Sequence, residues 1–248
     1  MSIQRQAFVR AQYGIVTTFL FLSLLLYLYE DVAGVNYVVL ASRVFDIGKE
    51  SSLPSWFSSF NLLLSAGFLL AIFARSRTNS EDGSRYWLFL GLIFLALSID
   101  EVASIHERAS GLRIVLGPIF PKETALSRIL VNNHWVIYGA MFSFVVFVVF
   151  IPFLRKLPRR TAGRFLFAGA VFVSGALGFE FLGSWMRYEE ISQPGDLIYN
   201  LRRIFEEGGE LYGVVIFNCA LFDVLVGQDR ALTLRIGSGA PRSKGRCG

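Results

Sequence analysis

Apolar residues run through this chain in long blocks separated by short polar connections, and the blocks have the length of membrane spans. A helix needs roughly twenty predominantly apolar residues to cross the hydrocarbon core. Six stretches approach that length: Tyr13–Tyr29, Ser55–Phe73, Tyr86–Glu107, Asn133–Leu154, Arg164–Trp185 and Phe205–Val226. Pro54 precedes the second, which suits a helix start. The pattern predicts an all-α, polytopic transmembrane bundle of about six spans, with residues 1–226 as one domain. Residues 227–248 include Gly-Ser-Gly-Ala-Pro-Arg-Ser-Lys-Gly and read as a disordered tail.

The third block is the informative one. Its apolar part stops at Ile99, about fourteen residues in, so a full span has to take in Asp100 and Glu101 and is expected to reach His106 and Glu107. Ionisable groups at membrane depth are costly and mark functional candidates.

Composition agrees with a membrane protein: 54% of the 248 residues are hydrophobic, and the mean hydropathy is +0.52. A soluble domain is usually less apolar. The net charge of +5 reads as cytoplasmic-loop arginine and not as a nucleic-acid surface, since no basic block with interleaved aromatics stands outside the spans. Most Lys and Arg fall on the N-terminal side, above all at Arg155–Arg164 and in the tail, so both termini are expected in the cytoplasm. Arg5 and Arg10 precede the first apolar run, but no small-x-small site follows it, so it is expected to stay as an uncleaved span. Cys219 and Cys247 form no disulfide framework or CxxC motif.

Axial rise then sets depth. At about 1.5 Å per residue, Asp100 lies roughly 21 Å from Tyr86, and Glu180 roughly 24 Å from Arg164. His134 starts the fourth span from the same side. The sixth needs Glu210, and at its limit Glu207, to complete its length. Four helices thus bring carboxylates or imidazoles to one level near the outer leaflet. Residues three, four and seven apart share a face, which groups Ala96, Asp100, Ala103, Ser104 and Glu107. It also sets Glu180 beside Ala176, Gly183 and Ser184, and Glu206 beside Gly209, Glu210 and Gly213. Ser58, Asn61 and Ser65 share a face of the second span. His106 falls off the Asp100–Glu107 face.

Blander accounts exist for several of these. Arg202 and Arg203 stand one turn before Glu206 and Glu207 and predict an interfacial ion-pair face. Glu107 beside Arg108 suits a solvated helix end. Either histidine could serve a hydrogen-bonded structural role. Asp100, Glu101 and Glu180 are the residues least suited to a purely structural explanation.

Carboxylates gathered in low dielectric must be protonated, paired with arginine or bound to a cation. Carboxylates with two histidines on four helices suit a divalent metal, zinc or iron. Asp100, Glu107, His134, Glu180 and Glu210 are the candidate ligands, with Glu101, His106 and Glu207 as second choices. Asp100, Glu107 and Glu180 are the candidate catalytic groups. No Glu-x-x-His, HExxH, GxSxG or Gly-rich phosphate loop occurs. The leading expectation is a metal-dependent membrane enzyme acting on a lipid or lipophilic substrate, embedded in the bilayer and without a nucleic-acid partner. The alternatives are a proton- or cation-coupled transporter and an accessory subunit with a structural polar core.

The run Leu97-Ser-Ile-Asp-Glu-Val-Ala-Ser-Ile-His-Glu107 resembles a segment of uncharacterised bacterial multi-pass membrane proteins, as do Gly178-Phe-Glu180 and Glu206-Glu-Gly-Gly-Glu-Leu-Tyr-Gly213. The resemblance covers the third to sixth spans and implies a bacterial cytoplasmic membrane, with no reaction attached. The chain is also similar in style to seven-helix hydrolases of the ceramidase and receptor superfamily, which combine Ser, Asp and three His. With two histidines and no HxxxH, it departs from their zinc set.

Overall fold

The computed structural model describes residues 3–33, 44–79, 83–105 and 134–227. Most of those residues are helical, with no strand among them: α1 (Ile3–Ala33), α2 (Leu53–Thr78), α3 (Ser84–Ala103), α4 (His134–Lys156), α5 (Arg159–Val173), a π-helical segment (Ser174–Phe179), α6 (Glu180–Tyr188) and α7 (Leu197–Gly227). α5, the π segment and α6 form one continuous run, which makes six helices long and apolar enough to cross a membrane. The chain is a multi-pass membrane protein.

α7 is the helix around which the others gather, packing on α5, α1, the π segment and α2. Small residues make this packing close, as is usual where membrane helices meet. A Cβ on Gly175 would come within 2.6 Å of the Glu206 carbonyl oxygen, and one on Gly213 within 2.7 Å of the Phe172 backbone nitrogen. Gly209 lies against the Gly175 backbone in the same seam.

Polar pairs fix the register of the remaining helices. Ser59 and Ser98 each donate to the other's backbone carbonyl at 2.9 Å, joining α2 to α3. Asn218 donates to the Asn61 carbonyl at 3.0 Å and accepts from Ser65 at 2.7 Å, joining α2 to α7. Ser58, Asn61 and Ser65 are all buried, so their shared face is observed, but Asn61 and Ser65 spend their polar groups on the α2–α7 core.

α3 ends earlier than its sequence predicts. It starts at Ser84, two residues before the expected boundary, and so reaches 20 residues at Ala103. Ser104 then takes a left-handed conformation (φ 48°) and donates its N–H to the Asp100 carbonyl at 2.6 Å. Asp100 and Glu101 belong to the last turn of the helix. His106 and Glu107 lie outside the described residues, as do Arg108, Cys247 and the tail beyond 227. Ala96 is exposed and not turned into the bundle.

The two ends of the bundle differ. At one end, Asp223 of α7 is held by two arginines, Arg5 of α1 and Arg164 of α5, the first through both carboxylate oxygens. Beside this clasp, Tyr86 and Trp87 of α3 meet Phe150 and Phe153 of α4 ring to ring. The other end gathers the acidic residues.

Candidate functional site

Arg202 organises the acidic end. Its side chain is 5% exposed and its Nη1 lies 2.7 Å from Glu206 Oε2 and 3.5 Å from Glu180 Oε2. The same nitrogen donates to the Phe179 carbonyl at 2.6 Å. Phe179 closes the π segment, a wider turn of the kind that recurs at functional sites. Gly183 makes room for the guanidinium, since a Cβ there would sit 2.5 Å from Arg202 Cζ. Tyr199 lies beneath, its ring centroid 5.1 Å from that Cζ.

Arg187 of α6 approaches Glu180 from its other side at 3.9 Å. It donates to Ser184 at 2.9 Å and to the Tyr199 hydroxyl at 3.4 Å. Glu180 therefore bridges two arginines. The ion-pair face expected at Arg202 and Glu206 exists, but Glu206 is only 8% exposed and the pair is interior, not a solvated helix entrance.

The segment from Val44 to Ser52 closes this end from the α1–α2 side. Ser23 donates to the Phe45 carbonyl at 2.8 Å and accepts from Ile47 N–H at 3.0 Å. Buried Asp46 takes a hydrogen bond from the Tyr27 hydroxyl and is 3.4 Å from the Lys49 ammonium. Gly48 lies against the Arg203 guanidinium, which a Cβ would meet at 2.1 Å. Ser104, at the turn after α3, donates to Glu50.

Between these walls lies a cavity of about 1270 Å³, larger than the roughly 300–1,000 Å³ of ordinary small-molecule pockets. Among the described residues, its charged end carries Glu50, Asp100, Glu101, Glu180, Glu206, Glu207 and Glu210 against Lys49, Arg187, Arg202 and Arg203, seven carboxylates to four cations. Its other end is aromatic and aliphatic, lined by Phe94, Phe147, Phe150, Phe153, Phe165 and Phe217. From Phe165 to Glu180 the helix advances roughly 22 Å at about 1.5 Å per residue. The cavity spans most of a hydrocarbon core about 30 Å thick.

Asp100, Glu101, Glu180, Glu207 and Glu210 are thus brought to one cavity. Glu107 and His106 fall outside the described residues, and of His134 only the backbone, as the first residue of α4, is described. Among the described residues, no three of His, Cys, Asp and Glu are set to hold a metal ion. Two of the acids there, Glu180 and Glu206, already have arginine partners. Sequence reasoning missed the arginines as site residues, together with Tyr199, Asp46, Lys49 and Glu50. The one available signal was the Arg202–Glu206 spacing, which on its own suits a surface helix equally well.

Fold and site define a class: a multi-pass membrane helix bundle with a cavity, open on one side, that is charged at one end and aromatic along its length. The family described as Domain of unknown function (DUF8692) matches residues 14–225, and the chain belongs to it. No curated protein and no solved structure matches the chain.

Proposed function

We propose that this protein is a membrane enzyme for a lipophilic substrate, which it takes into the bundle with its polar part among the carboxylates. The observation that carries the reading is the cavity, with acids and arginines at one end and an aromatic slot roughly 22 Å long leading from them. A small polar metabolite would leave that slot unfilled, whereas an amphiphile satisfies both halves. Glu207 and Glu210 are the acid–base candidates, assisted by Asp100 and Glu101. Arg202 and Arg187 hold Glu180 and Glu206 in place. In the metal-dependent form of the reading, zinc or iron would be held by Asp100, Glu180 and Glu210 together with Glu107 and His134, since the first three are not set to hold an ion by themselves. The setting is a bacterial cytoplasmic membrane with both termini inside.

The test is incubation of purified protein, reconstituted in nanodiscs, with a total lipid extract. Mass spectrometry then follows which lipids are retained and which change mass, and elemental analysis is run on the same sample. Retention of a lipid class, with a mass change lost in Glu207→Gln and Glu210→Gln, supports the enzyme. A sample that retains no lipid over the nanodisc background sinks the reading. Absence of stoichiometric zinc or iron sinks only its metal-dependent form.

A further inference from the structure

Three charged side chains of α7 line the cavity at positions i, i+4 and i+7: Arg203, Glu207 and Glu210. That spacing places them on one helix face. Among the described residues, no ion pair or hydrogen bond closes on any of the three, whereas neighbouring Arg202 and Glu206 are paired at 2.7 Å. Arg203 lies within electrostatic reach of Asp46 and Glu207 without closing a bond to either, and Glu210 within reach of Glu101, Glu180, Glu206 and Glu207. Arg202 lines the same cavity, but its guanidinium is taken up by Glu206, Glu180 and the Phe179 carbonyl, and its Nε is buried against Gly183. A buried charge or donor left without a partner is expensive. The unmet capacity has two signs: guanidinium donors at Arg203, and carboxylate acceptors one to two turns further along at Glu207 and Glu210.

We infer that the occupant of this cavity is a lipid with a zwitterionic headgroup, its anionic oxygens on Arg203 and its protonated amine between Glu207 and Glu210. This rests on the lipid-taking reading above and adds the headgroup to it. A purely anionic head would leave both carboxylates unmatched and bring a like charge towards them, and a neutral head would satisfy neither sign. A cationic head with no anionic group would leave the guanidinium donors empty. Among the described residues, the seven-to-four excess of acids at this end leaves carboxylates for the amine even after each of these arginines has one.

The experiment is native mass spectrometry of the full chain released from detergent, titrated with three lipids of identical acyl chains. These are a phosphoethanolamine lipid, a phosphoglycerol lipid and a diacylglycerol. The phosphoethanolamine lipid is expected to bind at least tenfold more tightly than either other. In Glu207→Gln/Glu210→Gln the preference over phosphoglycerol should vanish, and in Arg203→Gln both phospholipids should weaken together. Soluble phosphoethanolamine without chains should compete at least a hundredfold more weakly than the lipid. Equal binding of the three lipids in the wild-type protein overturns the headgroup assignment and leaves the lipid-taking cavity standing. Competition by soluble phosphoethanolamine as strong as the lipid's overturns the assignment to a lipid. Binding of none of the three overturns both readings. The wild-type comparison decides these outcomes even where a variant fails to fold.

Discussion

Placing an arginine within a membrane helix costs about 2.5–3.5 kcal/mol on insertion scales, and Arg202 offsets that cost with four contacts from one side chain. It meets two carboxylates, a backbone carbonyl and an aromatic face. Removing the cation leaves Glu180 and Glu206 facing each other across a buried site. Loss of one partner from a buried pair typically costs about 3–5 kcal/mol, while removing both sides is far cheaper. Arg202→Gln is therefore expected to destabilise the protein by about 3–5 kcal/mol, with Arg202→Gln/Glu206→Gln recovering a large part of the loss. Thermal unfolding in detergent checks both, and equal melting of the single and double variants would show that the pair is not coupled. Gly183→Ala should resemble the single variant, because its Cβ would occupy the guanidinium's place at 2.5 Å.

Among the elements, the seam between the π segment and α7 sets where Glu206 and Glu210 sit. Gly175 is its tightest point, with the Glu206 carbonyl oxygen 2.6 Å and the Glu210 nitrogen 2.8 Å from a Cβ placed there. Both obstacles are backbone atoms and cannot rotate away. Gly175→Val is expected to cost about 1–3 kcal/mol by overpacking and to weaken ligand retention by shifting both carboxylates. Gly178, with open space around its Cβ, is the control and should tolerate alanine without loss of either. The helices themselves were legible in the chain because span length and axial rise are fixed, so Asp100, Glu180 and Glu210 could be set at one level by counting. Faces were less legible. Ala176 and Glu180 do line the same cavity, but Ala96 turns to the outside although it stands one turn before Asp100. The arginines were hidden for a different reason. Counting Lys and Arg for orientation assigns Arg187, Arg202 and Arg203 to a connection outside the bilayer. The places of Arg203 and Arg202 depend on glycines at 48 and 183 that only the packed structure brings opposite them.

On the scale of the whole molecule, the bundle is tied at one end and hollow towards the other. Asp223 clasps α1 and α5 to α7, and Tyr86 and Trp87 hold α4 by Phe150 and Phe153, while further along the cavity separates α4 from α3 and α7. This arrangement lets ligand capacity be changed without touching a charged group or the helix seams. Gly169 of α5 lines the cavity, and nothing lies within 4 Å of where its Cβ would be. A phenylalanine there can enter the slot without displacing a neighbour at its root. Replacing an interior helical glycine also removes a backbone-entropy cost of roughly 0.5–1 kcal/mol. Gly169→Phe is thus expected to melt at or slightly above the wild-type temperature while losing most of the co-purified lipid, read by mass spectrometry of the extracted protein. If the cavity were a passive gap between helices, filling it would raise stability and leave the lipid complement unchanged. A lowered lipid complement at undiminished stability is the combination that a binding slot produces, and Glu207 and Glu210 would still be in place to receive a headgroup with no room left for its chain.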